Sequence, residues 1–173
     1  EMLLDVDHSK ILLNAALETA LPVWVGLSCC DSKFDNSVIG RNFRAEKEKS
    51  LIYDENKYKD QPKYLPEDKI ILLEDIIKSL TSLGGDVYGI MHTWFQDSIG
   101  GLKILKNNWK GPIMFYPEIH KFDTNTHKAI ITMTEEEFSN SILELIDDQI
   151  QIVGGCCGVN DKHLKRLIQS RSE

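Results

Sequence analysis

The chain has 173 residues, of which 42% are hydrophobic, which suits one domain with a buried core or a piece of a larger domain. Its 27 acidic residues outnumber the 20 basic ones, for a net charge of −7. This balance argues against nucleic acid as a partner, since phosphate binding needs an excess of Lys and Arg. The apolar runs are far shorter than the roughly 20 residues that span a bilayer, so we expect no membrane partner.

The predicted elements begin with a helix over residues 5–20, where apolar side chains recur at helical spacing up to Pro22. A buried strand follows at 23–28. Residues 31–66 are rich in charged side chains of both signs, and we interpret them as a long polar loop or lid. The next helix spans 67–83 and ends at two glycines, which favour a helix C-terminus.

Three more strand–helix units follow in the second half of the chain. Each strand is short and mostly apolar, as strands covered on both faces should be. Two helix starts carry capping signals, namely Thr134 with Glu137 and, for the last helix, Asn160. The predicted strands are 86–91, 111–116 and 150–155, and the predicted helices are 98–109, 135–147 and 161–170.

This alternation of strands and helices predicts an α/β fold with a parallel sheet. Two architectures compete, an open doubly wound sheet and a (β/α)8 barrel. The barrel needs eight strand–helix units and about 250 residues. Four strands are too few for it, so the pattern alone favours the open sheet or half of something larger.

The four cysteines stand in two adjacent pairs, Cys29-Cys30 and Cys156-Cys157. Neighbouring cysteines rarely bridge each other without strain, and these pairs do not look like the disulfide framework of a secreted domain. No charged-then-apolar leader is visible either. We therefore expect reduced thiols and a cytoplasmic location.

The chemistry of a parallel α/β fold lies where strands end and helices begin. Cys156 and Cys157 occupy such a position, and His92 follows an earlier strand. Two thiolates and an imidazole can bind zinc, and the glycines at 154, 155 and 158 permit the sharp turn that adjacent ligands require. The alternatives are a pair of small buried side chains, which we prefer for Cys29-Cys30, and a metal-free redox dithiol.

The segment "VGGCCGVNDKHL" (153–164) resembles the GGCCG-x-x-P-x-H-I signature of the homocysteine S-methyltransferase family. The segments "ETALPVWVGLSC", "DVYGIMH" and "GPIMFYPE" fall in order on other segments typical of the family. The resemblance implies a (β/α)8 TIM barrel, of which residues 1–173 are a single partial domain, the C-terminal half with about four strand–helix units. It also implies that the N-terminal half is an upstream segment, a separate chain or a second copy of this chain.

The resemblance further implies zinc-dependent methyl transfer from a small methyl donor to the thiol of homocysteine, forming methionine. The two family cysteines carry over to Cys156 and Cys157, and the position of the third holds His92. Glu1 falls on the family's substrate-binding glutamate, while Met91 and Glu118 replace family asparagines. Because of the change at position 92, a non-catalytic or diverged zinc-binding relative with a Cys2His site is the alternative.

Overall fold

The computed structural model describes residues 6–31, 38–40, 72–123, 126 and 128–171. The helices in this part of the chain are α1 (Val6–Leu17), α2 (Leu73–Thr81), α3 (Phe95–Asn108), α4 (Glu135–Leu145) and α5 (Asp161–Arg171). The strands are β1 (Trp24–Leu27), β2 (Cys29–Asp31), β3 (Val38–Gly40), β4 (Val87–Trp94), β5 (Ile113–Glu118), β6 (His120–Asp123), β7 (Lys128–Ile131) and β8 (Ile150–Val153). Among the described residues, no helix has both the length and the apolar character needed to cross a membrane.

The main sheet contains four strands in the order β1-β4-β5-β8, and every neighbouring pair is parallel. The order in space follows the order in the chain, without the reversal that creates the switch point of a doubly wound sheet. Helices connect the successive strands of this sheet. The predicted α/β alternation is confirmed, and the arrangement is compatible with half of a barrel.

One face of this sheet packs against the helices. Its side chains belong to a buried apolar core that α2, α3 and α4 complete with Ile77, Leu105 and Phe138. Burial of this apolar surface is the main favourable term that holds the helices on the sheet. The core residues from the sheet include Leu27, Tyr88, Ile90, Ile113, Phe115 and Ile150.

The opposite face of the sheet carries the side chains that alternate with this core. Met91 and Tyr116 face each other across β4 and β5, and both are partly exposed. Trp24 on β1 is 53% exposed. The two faces therefore differ, one apolar and covered by helices, the other open enough to hold a site.

Two helix starts have the caps that the sequence predicts. The Thr134 hydroxyl accepts a hydrogen bond from the Glu137 backbone N–H at 3.2 Å, and the Glu137 carboxylate accepts one from the Thr134 N–H at 2.8 Å. The Asn160 side-chain oxygen accepts a hydrogen bond from the Lys162 N–H at 3.0 Å at the start of α5. Both pairings satisfy backbone donors that the first turn of a helix leaves without partners.

Two antiparallel hairpins, β2–β3 and β6–β7, were not predicted. Their strands have only three or four residues, and the four side chains of β7 are all exposed. β2 and β3 take up Asp31 and residues 38–40 of the predicted polar loop or lid. The remaining residues of 31–66, the first residues of the predicted helix at 67–83, and Glu1 lie outside the described residues.

Candidate metal centre

Four potential metal-binding side chains come together where β4, β5 and β8 end. One donor atom from each of His92, Glu118, Cys156 and Cys157 lies within 4.8 Å of the other three. The strands that carry them are neighbours in the sheet, so their carboxyl ends meet at the same edge. Three of these residues are the ligands predicted from the sequence, and Glu118 is an addition.

The distances between the donors suit a single tetrahedral zinc ion. Cys156 Sγ lies 3.8 Å from Cys157 Sγ and 3.3 Å from His92 Nδ1. Zn–S and Zn–N bonds of about 2.3 and 2.0–2.1 Å in a tetrahedron place two sulfurs about 3.8 Å apart, and a sulfur and a nitrogen about 3.6 Å apart. Thiolate, imidazole and carboxylate are also the donor types that zinc takes in proteins. The residues present therefore fit zinc.

A bulge in β4 positions His92. Met91 pairs with Tyr116 and Trp94 pairs with Glu118, so β4 uses one more residue than β5 between these two pairs. His92 adopts the left-handed conformation with φ of 49°, which histidine tolerates better than most residues. Regular alternation would direct Met91 and His92 to opposite faces of the sheet. The extra residue redirects the imidazole towards the cysteines.

Thr93 anchors the chain directly after His92. Its buried hydroxyl donates a hydrogen bond to the Met91 carbonyl at 2.8 Å and accepts one from the Cys29 N–H at 2.9 Å. One of these hydrogen bonds lies within the bulge, and the other joins the bulge to β2. The left-handed conformation of His92 costs energy, of the order of 1–2 kcal/mol, and the surrounding hydrogen bonds must hold it.

The cysteine turn, residues 154–158, continues the pairing of β8 with β5. The Cys156 N–H donates to the Pro117 carbonyl at 3.1 Å, and the Ile119 N–H donates to the Cys157 carbonyl at 3.0 Å. Gly158 ends the turn with φ of 89°, a conformation that side chains with a Cβ rarely adopt. The prediction that glycine permits the sharp turn is confirmed at this position.

The second glycine that shapes the turn is Gly154, which packs against the ring of Tyr116. A Cβ at position 154 would lie 2.7 Å from Tyr116 Cε1, closer than any real contact. The absence of a side chain therefore lets the backbone approach the ring and brings the cysteines against the end of β5.

The Cys156 thiol is less acidic than an ordinary cysteine. Burial raises its pKa, and the neighbouring Cys157 raises it further, while backbone hydrogen bonds from Cys157 and His92 act in the opposite direction. Metal binding requires the thiolate, so an ion that enters this site must displace the proton.

Glu118 follows the predicted strand 111–116 and departs from the family pattern, but the sequence analysis did not predict it as a metal ligand. Its side chain is 1% exposed and lies among the other three donors. Cys156 and His92 drew attention because functional side chains lie where parallel strands end. The same rule applies to Glu118 at the end of β5. That rule, followed by the question of which donors zinc accepts, could have found it.

His163, the histidine of the signature segment, has a structural role. Its ring is buried, accepts a hydrogen bond from the Asn160 N–H at Nδ1 and places Nε2 3.4 Å from the Met133 carbonyl. The ring edge also meets Phe138 of α4, with centroids 5.6 Å apart. His163 therefore joins the start of α5 to α4, outside the four-donor cluster.

Cys29 also lies apart from the cluster. It is 1% exposed in the apolar core, and its Sγ lies 3.9 Å from the Asp97 carbonyl. The interpretation of this residue as a small buried side chain is confirmed. The side chain of Cys30 lies outside the described residues.

The homocysteine S-methyltransferase family model matches residues 72–170, more than half of the chain. The chain belongs to the homocysteine S-methyltransferase family. The matched region contains β4, β5 and β8 and all four donors of the cluster. No curated protein matches the chain. Family membership and the donor cluster together indicate methyltransferase chemistry at a metal site.

Proposed function

We propose that the protein catalyses zinc-dependent transfer of a methyl group from a small donor to the thiol of homocysteine, forming methionine. The observation that carries the proposal is the convergence of Cys156, Cys157 and His92 at the strand ends of a chain that belongs to this family. Their spacing supports zinc as the metal, since it matches tetrahedral coordination.

The side chains of the cluster would hold the ion and the substrate sulfur in a partly buried site. Bound zinc lowers the pKa of a coordinated thiol, so the thiolate, which is the nucleophile, forms at neutral pH. The homocysteine sulfur then forms a bond to the methyl carbon, and the bond from that carbon to the donor breaks with its electron pair leaving on the donor. The hydrogen bonds between β5 and the cysteine turn keep the two thiols in place during this step.

Two further parts of the proposal concern regions beyond the described residues. By the family pattern, Glu1 binds the ammonium group of homocysteine.

An N-terminal half-barrel, as an upstream segment or another chain, pairs with the edge strands β1 and β8. Open parallel edges invite pairing. Exposed apolar side chains lie near both edges and support this: Trp24 on β1 is 53% exposed, and Ile168, which lines a groove between α5 and β8, is 67% exposed. A cytoplasmic location accords with the free thiols.

One observation favours a second possibility, namely that the protein is a non-catalytic or diverged zinc-binding relative of the family. Glu118 supplies a fourth protein donor, and four protein ligands fill a tetrahedral ion as they do in structural sites. In that case the protein retains zinc and binds no homocysteine through sulfur.

The test uses the full chain, purified under reducing conditions and loaded with zinc. We expect one zinc per chain and formation of methionine, detected by mass spectrometry, from homocysteine with a sulfonium, betaine or methylfolate donor. Cys157→Ser should lose the metal, whereas Cys29→Ser, the same change at a buried cysteine outside the cluster, should keep it.

Absence of zinc uptake by the reduced wild-type chain would contradict both functions. Zinc uptake without any binding of homocysteine would contradict the enzyme and leave the zinc-binding relative. Because the family barrel has two halves, the assay is repeated with any partner chain that co-purifies with the protein.

A further inference from the structure

The Thr93 hydroxyl connects the bulge of β4 to β2. It accepts a hydrogen bond from the Cys29 N–H at 2.9 Å and donates one to the Met91 carbonyl at 2.8 Å. Met91 and Thr93 are the two chain neighbours of His92, so the second hydrogen bond fixes the backbone on both sides of it. Thr93 is buried, and burial strengthens a hydrogen bond relative to one in water. The conformation of His92 is therefore tied to the position of β2.

The apolar core holds the Cys29 end of this connection. Cys29 is buried, and its Sγ lies 3.9 Å from the carbonyl of Asp97 in the first turn of α3. A Cβ at Gly101 of the same helix would overlap Cys29 Sγ, so glycine lets the sulfur pack closely against α3. Such close packing leaves the start of β2 little room to move. The N–H that Thr93 accepts from is therefore held in a fixed place.

His92 needs this support because its backbone conformation is strained. A φ of 49° is uncommon for a residue with a side chain. Met91 lies on the open face of the sheet, where its side chain covers Gly26 of β1, so regular alternation would turn His92 towards the helices. In the structure, His92 Nδ1 instead lies 3.3 Å from Cys156 Sγ.

Building on the function proposed above, we propose that Thr93 is a positioning residue for the metal centre. Its hydroxyl holds His92 in the left-handed conformation that brings the imidazole to Cys156. Without the hydroxyl, the Cys29 N–H and the Met91 carbonyl lose this partner, and nothing in the pair of hydrogen bonds opposes relaxation of the bulge. His92 then returns to an ordinary φ, and its imidazole turns away from the cysteines.

The first test measures zinc affinity by competition with a chelator in the full chain. Thr93→Val keeps the branched shape of the side chain and removes the hydroxyl, and we expect zinc to bind about tenfold more weakly, the lower end of what residues behind metal ligands contribute. Thr93→Ser keeps the hydroxyl and should bind zinc nearly as tightly as wild type. Thr81→Val is the control, since it removes a hydroxyl that donates to the Ile77 carbonyl on α2, outside the cluster, and it should bind zinc like wild type.

The second test identifies the zinc donors by X-ray absorption, which recognises imidazole from the scattering of its ring. Wild type, Thr93→Ser and Thr81→Val should show an imidazole donor, and Thr93→Val should lose it. A variant that is only less stable would keep the imidazole, so this measurement separates positioning from a loss of stability. Wild-type zinc affinity and an imidazole donor in Thr93→Val would overturn the role of Thr93. Equal weakening in Thr93→Val and Thr93→Ser would also contradict it, because the hydroxyl would then not be the responsible group.

The third test uses the metal-free protein, so its result is independent of the proposed function. A positive φ brings the amide and α protons of a residue unusually close together, and NMR detects this short distance. We expect it at His92 in wild type and Thr93→Ser, and its loss in Thr93→Val. A long distance in wild type, or a short one in Thr93→Val, would refute the positioning role. If the reduced wild-type chain took up no zinc, the proposed function would fail, and this test would still decide the role of Thr93.

Discussion

Replacing Gly158 by alanine tests whether the cysteine turn is shaped by its glycine. Gly158 has a φ of 89°, which an alanine rarely adopts. The added Cβ would also lie 3.1 Å from Ile119 Cγ1 and 3.1 Å from His120 Cβ. Both contacts are tight, and they involve the segment that carries the hydrogen bond from the Ile119 N–H to the Cys157 carbonyl.

The left-handed conformation costs an alanine about 1–2 kcal/mol. The tight contacts add to this cost, while the stiffer unfolded chain offsets about 0.4–1 kcal/mol. We expect Gly158→Ala to lower the free energy of unfolding by about 1–2 kcal/mol. For a chain of this size, this corresponds to a decrease in Tm of about 2–8 °C.

The same strain should reach the metal centre. Alanine relieves its strain by rotating the turn, and zinc binding must force the turn back into the geometry that brings Cys157 to Cys156. The cost divides between the two measurements, because strain that the metal-free turn relieves by rotating lowers the affinity for zinc instead of the Tm. If zinc binding bears all of it, the Tm of the metal-free protein is unchanged and the affinity for zinc falls about five- to thirtyfold, since each 1.4 kcal/mol is a factor of ten. Chelator competition measures the affinity, and thermal unfolding of the metal-free protein measures the stability.

The matched control is Gly84→Ala, which also has a positive φ, of 133°, but lies after the end of α2. There the added Cβ would meet only Leu17, at an ordinary distance of 3.4 Å. We expect this variant to lose stability and to bind zinc like wild type. If Gly158→Ala matched wild type in both Tm and zinc affinity, the reasoning about the turn would be refuted.

Two further predictions concern stability and pH. Burial raises the pKa of Tyr88 to about 12, because the folded protein favours the neutral phenol. The stability that this preference contributes is fully present below about pH 10, the pKa of a free tyrosine, and is lost as the pH rises through 12. Tyr88→Phe, which loses the hydrogen bond to the Gly84 carbonyl, should cost about 1 kcal/mol at pH 8 and flatten the alkaline decrease of Tm; an unchanged decrease would assign it to other groups. The hydrogen bond from Lys106 lowers the pKa of Asp147, and hydrogen bonds from the backbone act in the same direction. The stability that the ionised carboxylate contributes to the fold is present above the unfolded pKa near 3.9 and is lost as the pH falls through the lower pKa of the folded state. Lys106→Met should reduce the loss of stability in urea unfolding between pH 6 and 3, and a profile identical to that of wild type would contradict the assignment.

Local patterns in the sequence were enough for much of the fold. Apolar periodicity located the helices and the strands of the main sheet, because burial of one face or both leaves a repeating pattern. The helix caps could also be predicted from the sequence, because each acts within one turn of helix. They are the capping box of Thr134 with Glu137 and the cap at Asn160. The β6–β7 hairpin escaped prediction because the four side chains of β7 are all exposed, so this strand leaves no such pattern.

The sequence by itself determined the donor types, two adjacent thiols and an imidazole, and the glycine that lets the thiols turn. Only the tertiary structure decided which side chains meet. The direction of His92 depends on one extra residue in the register of β4 against β5, and the proximity of Glu118 depends on β5 lying beside β8. Register and strand order arise from pairing between segments distant in the chain, and a single residue of register changes the face on which a side chain lies.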